Sequence, residues 1–381
     1  MLKRIRLIDF KSFKDEEIEV APLTLLVGAN ASGKSNFLDA IRFLKGVAFD
    51  LMLGEVLNGE QQSGPEAWLG IRGRAEEAVR IGANDFTIDS TWLASPVGVA
   101  EAAVSEPARV EIRHYIVCRV SPHVGLEYEL VESSHLSHEV KNEGFKSLMS
   151  PSAELKSPGN RVAPALGDVI RGVQLLNMNP AEMRSYGRRG DPLGVNGRNV
   201  SGVLADLCED PSEKEALVHW LSELCAPDIK DVEFLDIKEL GDIMAFFVEA
   251  DGNRISARSI SDGTLRFLGT LLALQTAVPG SVILIEEIES GLHPTRIRLL
   301  VEYLETVTRE RQIQVIATTH SPVVLQWLSD ESLRNTVVFG RIPEHKGTIM
   351  RCLGTLPHFN EVIQRKGIDE LFSTGWLEMA L

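Results

Sequence analysis

Residues 28–35 read Gly28-Ala29-Asn30-Ala31-Ser32-Gly33-Lys34-Ser35, and they fit the pattern G-x-x-x-x-G-K-[ST] at every fixed position. The apolar run before them, residues 23–27, is typical of a strand buried on both faces, and a helical apolar periodicity begins after Ser35. A glycine-rich loop in this setting binds phosphate with backbone N–H groups and the positive end of the helix dipole. Lys34 can then reach the β- and γ-phosphates, and the Ser35 hydroxyl can ligate Mg²⁺. The competing interpretation is a glycine-rich turn that leads into a helix without binding a ligand.

The composition narrows the class of protein. Of 381 residues, 44% are hydrophobic and 24% are charged, as in globular domains and unlike disordered or fibrous chains. The net charge of −15 excludes a chain that is basic throughout, so nucleic acid would bind through a local patch or a partner. The 4 cysteines lack the spacing of a zinc site or a disulfide framework, which favours a reducing cytoplasm. No apolar run approaches the roughly 18–20 residues that span a bilayer, so we expect no membrane insertion.

The pattern of helices and strands predicts an α/β fold. Helix and strand alternate in the last third of the chain, which predicts a parallel sheet with crossover helices. The first third predicts short antiparallel strands, whereas 139–165, rich in Ser, Pro, Gly and Lys, predicts a loop. We divide the chain into an N-terminal core part (1–135), an inserted mainly helical lobe (136–228) and a C-terminal core part (229–381). The predicted strands are 2–9, 15–20, 23–27, 110–117, 126–131, 230–237, 243–249, 281–286, 312–318 and 335–340, with strands and loops over 48–108. The predicted helices are one from Ser35 with Gly46 as its C-cap, and 166–180, 199–225, 262–277, 294–309 and 322–329.

A second buried strand ends in two acids. Four apolar residues, 282–285, are followed by Glu286 and Glu287. In P-loop enzymes the first such acid supports Mg²⁺, and the second polarises the attacking water. Two adjacent carboxylates repel each other at low dielectric unless a cation neutralises them. The alternative is a charged strand end that is merely exposed to solvent. Glu289 stays open between a third functional acid and a solvated loop residue.

Two polar turns precede helices in the same part of the chain. Ser261 and Asp262 precede an apolar-faced helix, and one of them can simply cap it. Alternatively, this helix N-terminus presents Ser261 and Gly263 to an anion. His320 follows a buried strand and therefore lies at the carboxyl edge of the sheet, where open α/β sheets bind ligands. A single histidine there can equally be a structural hydrogen-bonding residue.

Together these four elements resemble the ATPase domain of the ABC superfamily. They are most similar to its RecF/SMC-like branch and to the bacterial and archaeal "AAA family" ATPases, which include OLD-like and Septu-like defence proteins. Ile288 stands where these proteins usually have proline. The matching stretches are 8–13, 28–35 (Walker A), 197–204, 261–266 (signature), 283–287 (Walker B) with its continuation to 294, and 319–322 (switch). We expect neither the Toprim nuclease of OLD-like proteins nor the long coiled coil of SMC proteins.

The resemblance implies an ABC-type fold with a mixed sheet, an antiparallel N-terminal β-subdomain and an inserted helical lobe. It implies that ATP and Mg²⁺ bind, that Lys34 and Glu287 act in hydrolysis, and that His320 senses the γ-phosphate. Ser261, Asp262 and Gly263 would contact ATP bound to the other subunit of a head-to-tail homodimer. The implied ATP-binding residues are Lys11, Ser12, Phe13, Asn30, Ala31, Ser32, Gly33, Lys34, Ser35 and Asn36, and the implied Mg²⁺ ligands are Ser35 and Glu286. Gln61 and Gln62 are Q-loop candidates by position, with a plain loop as the alternative.

The leading functional hypothesis is a cytoplasmic dimeric ATPase whose nucleotide state controls a separate effector. By analogy with the resembled proteins, this partner is a nuclease or DNA-processing protein in antiphage defence or genome maintenance. The alternative is a RecF-like repair ATPase that acts directly on DNA. Its candidate contacts are Arg184, Arg188, Arg189 and Arg198, unless these lie in a solvated loop. The S-D-G-T signature disfavours a transporter motor, and Glu287 disfavours a scaffold without turnover.

Overall fold

The computed structural model describes residues 1–59, 68, 70–94, 110–121, 127–136, 164–224, 229–342 and 347–381. The described chain forms two compact units. The first unit contains Met1–Val173, Gly280–Val282 and Glu331–Leu381, and the second contains Gln174–Pro279 and Ile283–Asp330. Nearly all of the predicted loop 139–165, together with Gln61 and Gln62, lies outside the described residues. The three-part division made from the sequence stays a prediction.

The fold combines antiparallel and parallel strand pairs with helices, so the predicted α/β class with a mixed sheet is confirmed. The strands are β1 Leu2–Ile8, β2 Asp15–Glu19, β3 Leu23–Val27, β4 Asp85–Ala94, β5 Val110–Ser121, β6 Glu127–Leu136, β7 Gln174–Leu176, β8 Ile229–Ile237, β9 Asp242–Glu249, β10 Arg254–Ser256, β11 Val282–Ile285, β12 Gln314–Thr318, β13 Val337–Ile342 and β14 Gly347–Cys352. The helices are α1 Lys34–Ala48, α2 Leu53–Asn58, α3 Pro164–Arg171, α4 Pro180–Met183, α5 Val200–Leu207, α6 Pro211–Leu224, α7 Asp262–Thr276, α8 Ile297–Glu310, α9 Pro322–Gln326, α10 Asp330–Arg334, α11 Phe359–Arg365, α12 Ile368–Ser373 and α13 Trp376–Met379. None of these described helices is long and apolar enough to cross a membrane.

Two groups of strands form the first unit. An antiparallel sheet has the order β2-β1-β4-β5-β6, and its hairpins confirm the predicted N-terminal antiparallel strands. In the other group, β13 pairs with β3 in parallel and with β14 in an antiparallel register. All five residues of β3 are buried, as its unbroken apolar sequence predicts.

An aromatic core fixes the strand and helix that flank residues 28–35. The ring of Phe339 on β13 packs edge-on against Phe37 of α1, with 5.8 Å between ring centroids, and against Phe13 at 6.4 Å. Phe86 packs in the same way against Phe10 at 5.1 Å and Phe43 at 5.2 Å. Such edge-to-face pairs add to the hydrophobic burial of the rings. The loop between β3 and α1 is therefore anchored at both ends by rigid, buried elements.

The predicted C-cap at Gly46 is wrong, because α1 continues to Ala48. Gly46 is buried inside the helix, and a Cβ there would lie 2.8 Å from both the Trp68 ring and Val56. The glycine therefore serves close packing and not helix termination.

The second unit carries an antiparallel sheet of order β10-β9-β8 and a strand group of order β12-β11-β7. β11 and β7 are parallel, and Ile283 aligns with Gln174. β8, β9, β11 and β12 confirm the predicted strands, whereas β7 lies within the predicted helix 166–180 and corrects it. The predicted helix 199–225 is divided into α5 and α6, and Pro211 begins the second helix because proline fits a helix start but not an interior.

Candidate functional site

The glycines of residues 28–35 have backbone conformations that other residues avoid. Gly28 has φ +141° and Gly33 has φ +117°. A Cβ on Gly28 would lie 2.2 Å from the Phe339 carbonyl oxygen, and one on Gly33 would lie 2.4 Å from Thr348 Oγ1. Both contacts are far shorter than van der Waals separation, so only glycine fits at either position. The loop is thus built to bring its backbone, not side chains, to its concave side.

Lys34 begins α1 and is directed back over this loop. Its side chain is buried, and Nζ donates hydrogen bonds to the carbonyl oxygens of Gly28 at 2.6 Å and Ala29 at 2.9 Å. By contrast Asn30, Ala31 and Ser35 are exposed. The N-terminus of a 15-residue helix, a loop whose residues 29–31 are exposed and an ammonium group therefore meet at one place. This donor set suits the phosphates of a nucleotide.

A cavity of about 910 Å³ opens in the first unit beside the predicted ATP-binding residues Lys11, Ser12 and Asn36. Lys11 Nζ is held by Asp39 Oδ2 at 2.6 Å and by the Arg72 carbonyl oxygen at 2.7 Å. Burial lowers the pKa of Lys11, although the Asp39 carboxylate opposes this shift. The other lining residues are Arg72, Gly73, Glu76, Glu77, Val79, Arg80, Ile81, Arg341 and Gly347. A cavity next to a phosphate loop offers room for the base and sugar of a nucleotide.

Phe13 differs from its predicted neighbours because its ring lies in the core and is 0% exposed. Ser12, one residue earlier, is hydrogen-bonded: its Oγ accepts from Asn36 Nδ2 at 2.8 Å. The structure therefore brings Ser12 and Asn36 together, while the Phe13 ring presents no face to the cavity. A role for Phe13 in ATP binding stays a prediction.

The acidic strand end of the second unit has an unusual backbone. Glu286 and Glu287 are exposed, and Glu287 has φ +49°, a left-handed conformation that glutamate rarely adopts. Its N–H donates to Thr318 Oγ1 at 2.8 Å, and the next N–H, of Ile288, donates to the Thr318 carbonyl oxygen at 3.1 Å. A proline at 288 would lack the second donor. Thr318, which the sequence did not single out, thus fixes the direction of the Glu287 backbone.

Glu289 links this strand end to the predicted switch residue. Its Oε1 accepts a hydrogen bond from the backbone N–H of His320 at 2.9 Å. Its Oε2 is buried without a hydrogen-bond partner. Glu289 is therefore not simply a solvated loop residue, and it positions the backbone that carries His320. The His320 side chain itself is exposed.

The signature residues begin α7, as expected. Ser261 is the N-cap, and its Oγ accepts from the Thr264 N–H at 3.1 Å, so the capping interpretation is confirmed. Gly263 approaches the loop after the acids closely, since a Cβ on it would lie 2.6 Å from the Gly291 carbonyl oxygen. This contact brings the signature next to the stretch that follows Glu289. The anion-binding role of Ser261 and Gly263 stays a prediction and is compatible with the cap.

Arg184, a candidate DNA contact from the sequence, instead holds the signature turn. Its guanidinium donates to the carbonyl oxygens of Arg258 and Ile260, each at 3.0 Å, and to Asp262 Oδ1 at 2.6 Å. Two of the other three candidates are also paired. Arg188 lies 3.4 Å from Asp242, and Arg189 lies 2.8 Å from Glu209. These contacts reduce the positive charge that the four arginines were expected to offer to DNA.

Two family models match separate stretches of this chain. Residues 150–326 match the model described as "AAA domain, putative AbiEii toxin, Type IV TA system", and residues 1–89 match the "AAA ATPase domain" model. Both descriptions name an AAA domain, in line with the resemblance to ATPases found in the sequence. The two matched stretches contain the phosphate loop, the acidic strand end and the signature helix described above. No curated protein matches the chain.

Solved structures with a similar backbone include three that cover most of this chain. The SMC head domain from Thermotoga maritima has 15% identity and a TM-score of 0.45, and covers 92% of this chain and 98% of that one. The Smc head domain with an extended coiled coil bound to the C-terminal domain of ScpA, derived from Pyrococcus furiosus, has 14% identity and a TM-score of 0.47, with coverages of 96% and 98%. The recombination mediator protein RecF-ATPrS in the RecFOR pathway has 15% identity and a TM-score of 0.43, with coverages of 93% and 98%. Similarities at this level carry no functional conclusion.

Proposed function

We propose that this chain binds ATP and hydrolyses it to ADP and phosphate. The observation that carries the proposal is the loop Gly28–Ser35, whose glycines are sterically obligatory and whose Lys34 is buried at the start of α1. The cavity beside Lys11, Ser12 and Asn36 supports it, because it offers space for the base and sugar next to the phosphate loop. The match of two stretches to ATPase-domain models agrees with this activity.

Each polar group then has a separate task in the proposed reaction. Backbone N–H groups of the loop Gly28–Ser35 and the Lys34 ammonium hold the phosphates, and Glu287 orients the attacking water. His320 senses the γ-phosphate, with its backbone fixed by Glu289. Phosphate transfer of this kind depends mainly on positioning and charge stabilisation, so rigidly held groups are what the reaction requires.

The proposal includes Mg²⁺ with few protein ligands. Ser35 supplies a hydroxyl and Glu286 a carboxylate, both hard oxygen donors that suit this ion. No group of three or more His, Cys, Asp or Glu that could hold a metal occurs within the part of the chain that the structure describes. That agrees with an ion held largely by phosphate oxygens and water. Mg²⁺ neutralises charge on the phosphates when bound.

A homodimer that closes around ATP, with Ser261 and Gly263 facing the partner's nucleotide, completes the proposal. A separate effector, such as a nuclease in antiphage defence, would read the nucleotide state. The description of the model matched by residues 150–326, which names a putative AbiEii toxin, favours a defence context over repair. The DNA-acting alternative is less favoured because Arg184, Arg188 and Arg189 already contact carboxylates.

The proposal is tested on the purified chain with calorimetry and a phosphate-release assay. We expect ATP to bind in the presence of Mg²⁺ and phosphate to be released slowly. Duplex DNA should bind weakly at low salt and not at all at physiological salt. Salt-resistant DNA binding needs several cationic side chains that can contact phosphates, whereas Arg184, Arg188 and Arg189 already contact carboxylates. Failure to bind ATP would overturn the proposal, whereas tight salt-dependent DNA binding would support the RecF-like alternative.

Arg184→Gln is expected to lower turnover about tenfold while ATP binding to the single subunit is unchanged. The variant loses the part-buried charge-assisted bond to the Ile260 carbonyl oxygen, worth about 1.5–3 kcal/mol in general, and the exposed ion pair with Asp262, worth about 0–1 kcal/mol. Phosphate release and calorimetric affinity are the two measurements. Arg188→Gln is the matched control, because its exposed pair with Asp242 is worth only about 0–1 kcal/mol. Equal turnover in the two variants would show that the signature turn does not need Arg184.

A further inference from the structure

Thr348, near the start of β14, touches the phosphate loop although it lies more than 300 positions away in the chain. Its side chain is 1% exposed. The hydroxyl donates to the Ser32 carbonyl oxygen at 2.8 Å and lies 2.8 Å from Ser12 Oγ. The Thr348 backbone N–H donates to the Ser12 carbonyl oxygen at 2.7 Å, which fixes the residue against the segment before β2. One buried side chain therefore contacts both the phosphate loop and a cavity-lining serine.

The bond to Ser32 determines the direction of a neighbouring donor. The carbonyl of Ser32 and the N–H of Gly33 belong to one planar peptide unit, and in a trans peptide they point in opposite directions. Because Thr348 holds the carbonyl on its own side, the Gly33 N–H must point away from Thr348. From this geometry we propose that Thr348 is a positioning residue that locks the Ser32–Gly33 peptide in its phosphate-binding orientation. The inference rests on the proposed ATP-binding function.

The contact with Gly33 makes the lock specific to this arrangement. A Cβ on Gly33 would lie 2.4 Å from Thr348 Oγ1 and 2.7 Å from its Cγ2, so the threonine packs directly against the glycine. Ser12 Oγ also accepts from Asn36 Nδ2 at 2.8 Å. The chain of polar contacts from Asn36 through Ser12 and Thr348 ends at Ser32. Removal of the hydroxyl leaves a buried carbonyl oxygen without this donor and frees the peptide to rotate.

The test compares Thr348→Val, which replaces the hydroxyl by a methyl group, with Thr348→Ser, which keeps it. We expect Thr348→Val to weaken ATP and ADP binding about tenfold, equivalent to about 1.4 kcal/mol. The rate at saturating ATP should stay within about twofold of wild type, because ground state and transition state lose the same contact. Binding of adenosine should not change, since adenosine has no phosphate. Thr348→Ser should restore the affinity for ATP and ADP.

Thr336→Val is the matched control, because Thr336 is also fully buried and its hydroxyl donates to the Ser332 carbonyl oxygen, away from the loop. It should lower the melting temperature without changing nucleotide affinity.

Thr348→Ala is a second variant, which adds no new methyl contact and serves if Thr348→Val folds poorly. Unchanged ATP affinity in Thr348→Val or Thr348→Ala overturns the inference, as does an equal loss for adenosine. If wild type binds ATP but Thr348→Ser does not recover, the hydroxyl is not the cause. If wild type binds no nucleotide, the proposed function fails and the inference fails with it.

Discussion

Glu287→Gln is expected to leave ATP binding intact and to lower turnover by at least about a hundredfold. The amide has the size of the carboxylate but cannot polarise water as a base. The backbone should not move, because Glu287 N–H keeps its bond to Thr318 Oγ1 and glutamine tolerates the same left-handed φ about as well as glutamate. Calorimetry measures the ATP affinity, and phosphate release under saturating ATP measures turnover.

In contrast to Glu287→Gln, which should lose turnover but keep ATP binding, Lys34→Ala should lose ATP binding itself. The ammonium is buried over the loop and contacts the carbonyl oxygens of Gly28 and Ala29, so its removal takes away both phosphate charge neutralisation and a contact that shapes the loop.

The control for the negative charge that Glu287→Gln removes is Glu239→Gln, at an exposed glutamate in the turn between β8 and β9. Turnover at the wild-type rate in Glu287→Gln would show that another group orients the water.

The parts of the site that could be predicted from sequence are those made by neighbouring residues. β3, the glycine loop and α1 follow one another directly, so the apolar run and the motif specify all three. The cap of α7 by Ser261 is likewise local. Thr318 is visible in the sequence as a polar residue at the end of the apolar run of β12. Its partner Glu287, however, lies 31 positions earlier, and no periodicity connects the two.

The parts that could not be predicted depend on distant pairs and on backbone conformation. Arg184 reaches a turn 74 to 78 positions later, and Thr348 reaches Ser12 across 336 positions. Arginines near one another in sequence suggested a basic patch. The positive charge that they leave for a partner depends, however, on which carboxylates the fold brings close to them. The left-handed φ of Glu287 is also invisible in sequence, because the residue type normally avoids it. The break between α5 and α6 has a local signal in the sequence, which is Pro211. The short strand β7 has no such signal, because it forms by pairing with the distant strand β11.

Ser261→Arg is expected to abolish ATP-dependent dimerisation and to lower turnover more than about a hundredfold. Ser261 and Asp262 are exposed at the N-terminus of the 15-residue helix α7, where the dipole favours an anion. A long cationic side chain would fill that space and repel any cation already at the partner's phosphates. ATP binding within one subunit should survive, because Gly28–Ser35 is unchanged. Light scattering with and without ATP measures the dimer, and phosphate release measures turnover.

Ser261→Ala separates the capping role from the dimer role. It removes the same bond to the Thr264 N–H, at a cost of about 0.5–2 kcal/mol, but leaves the space free. It should therefore lower the melting temperature by no more than Ser261→Arg does, because it adds no cation at the helix N-terminus, and it should retain the ATP-dependent dimer. If both variants dimerise and hydrolyse ATP as wild type does, Ser261 acts only as a helix cap.

Mixing Ser261→Arg with Lys34→Ala subunits tests directly whether each site needs both chains. Each variant alone should be inactive, since every site in its homodimer carries a defect. A mixed dimer has one site with both defects and one site that combines the intact Gly28–Ser35 loop of the first variant with the intact Ser261 of the second. Because neither variant should form an ATP-dependent dimer by itself, the dimers formed at equal amounts should be mixed, and one good site in each should restore up to about half of wild-type turnover. Absence of recovery, together with normal folding of both variants, would mean that the signature does not act on the partner's nucleotide.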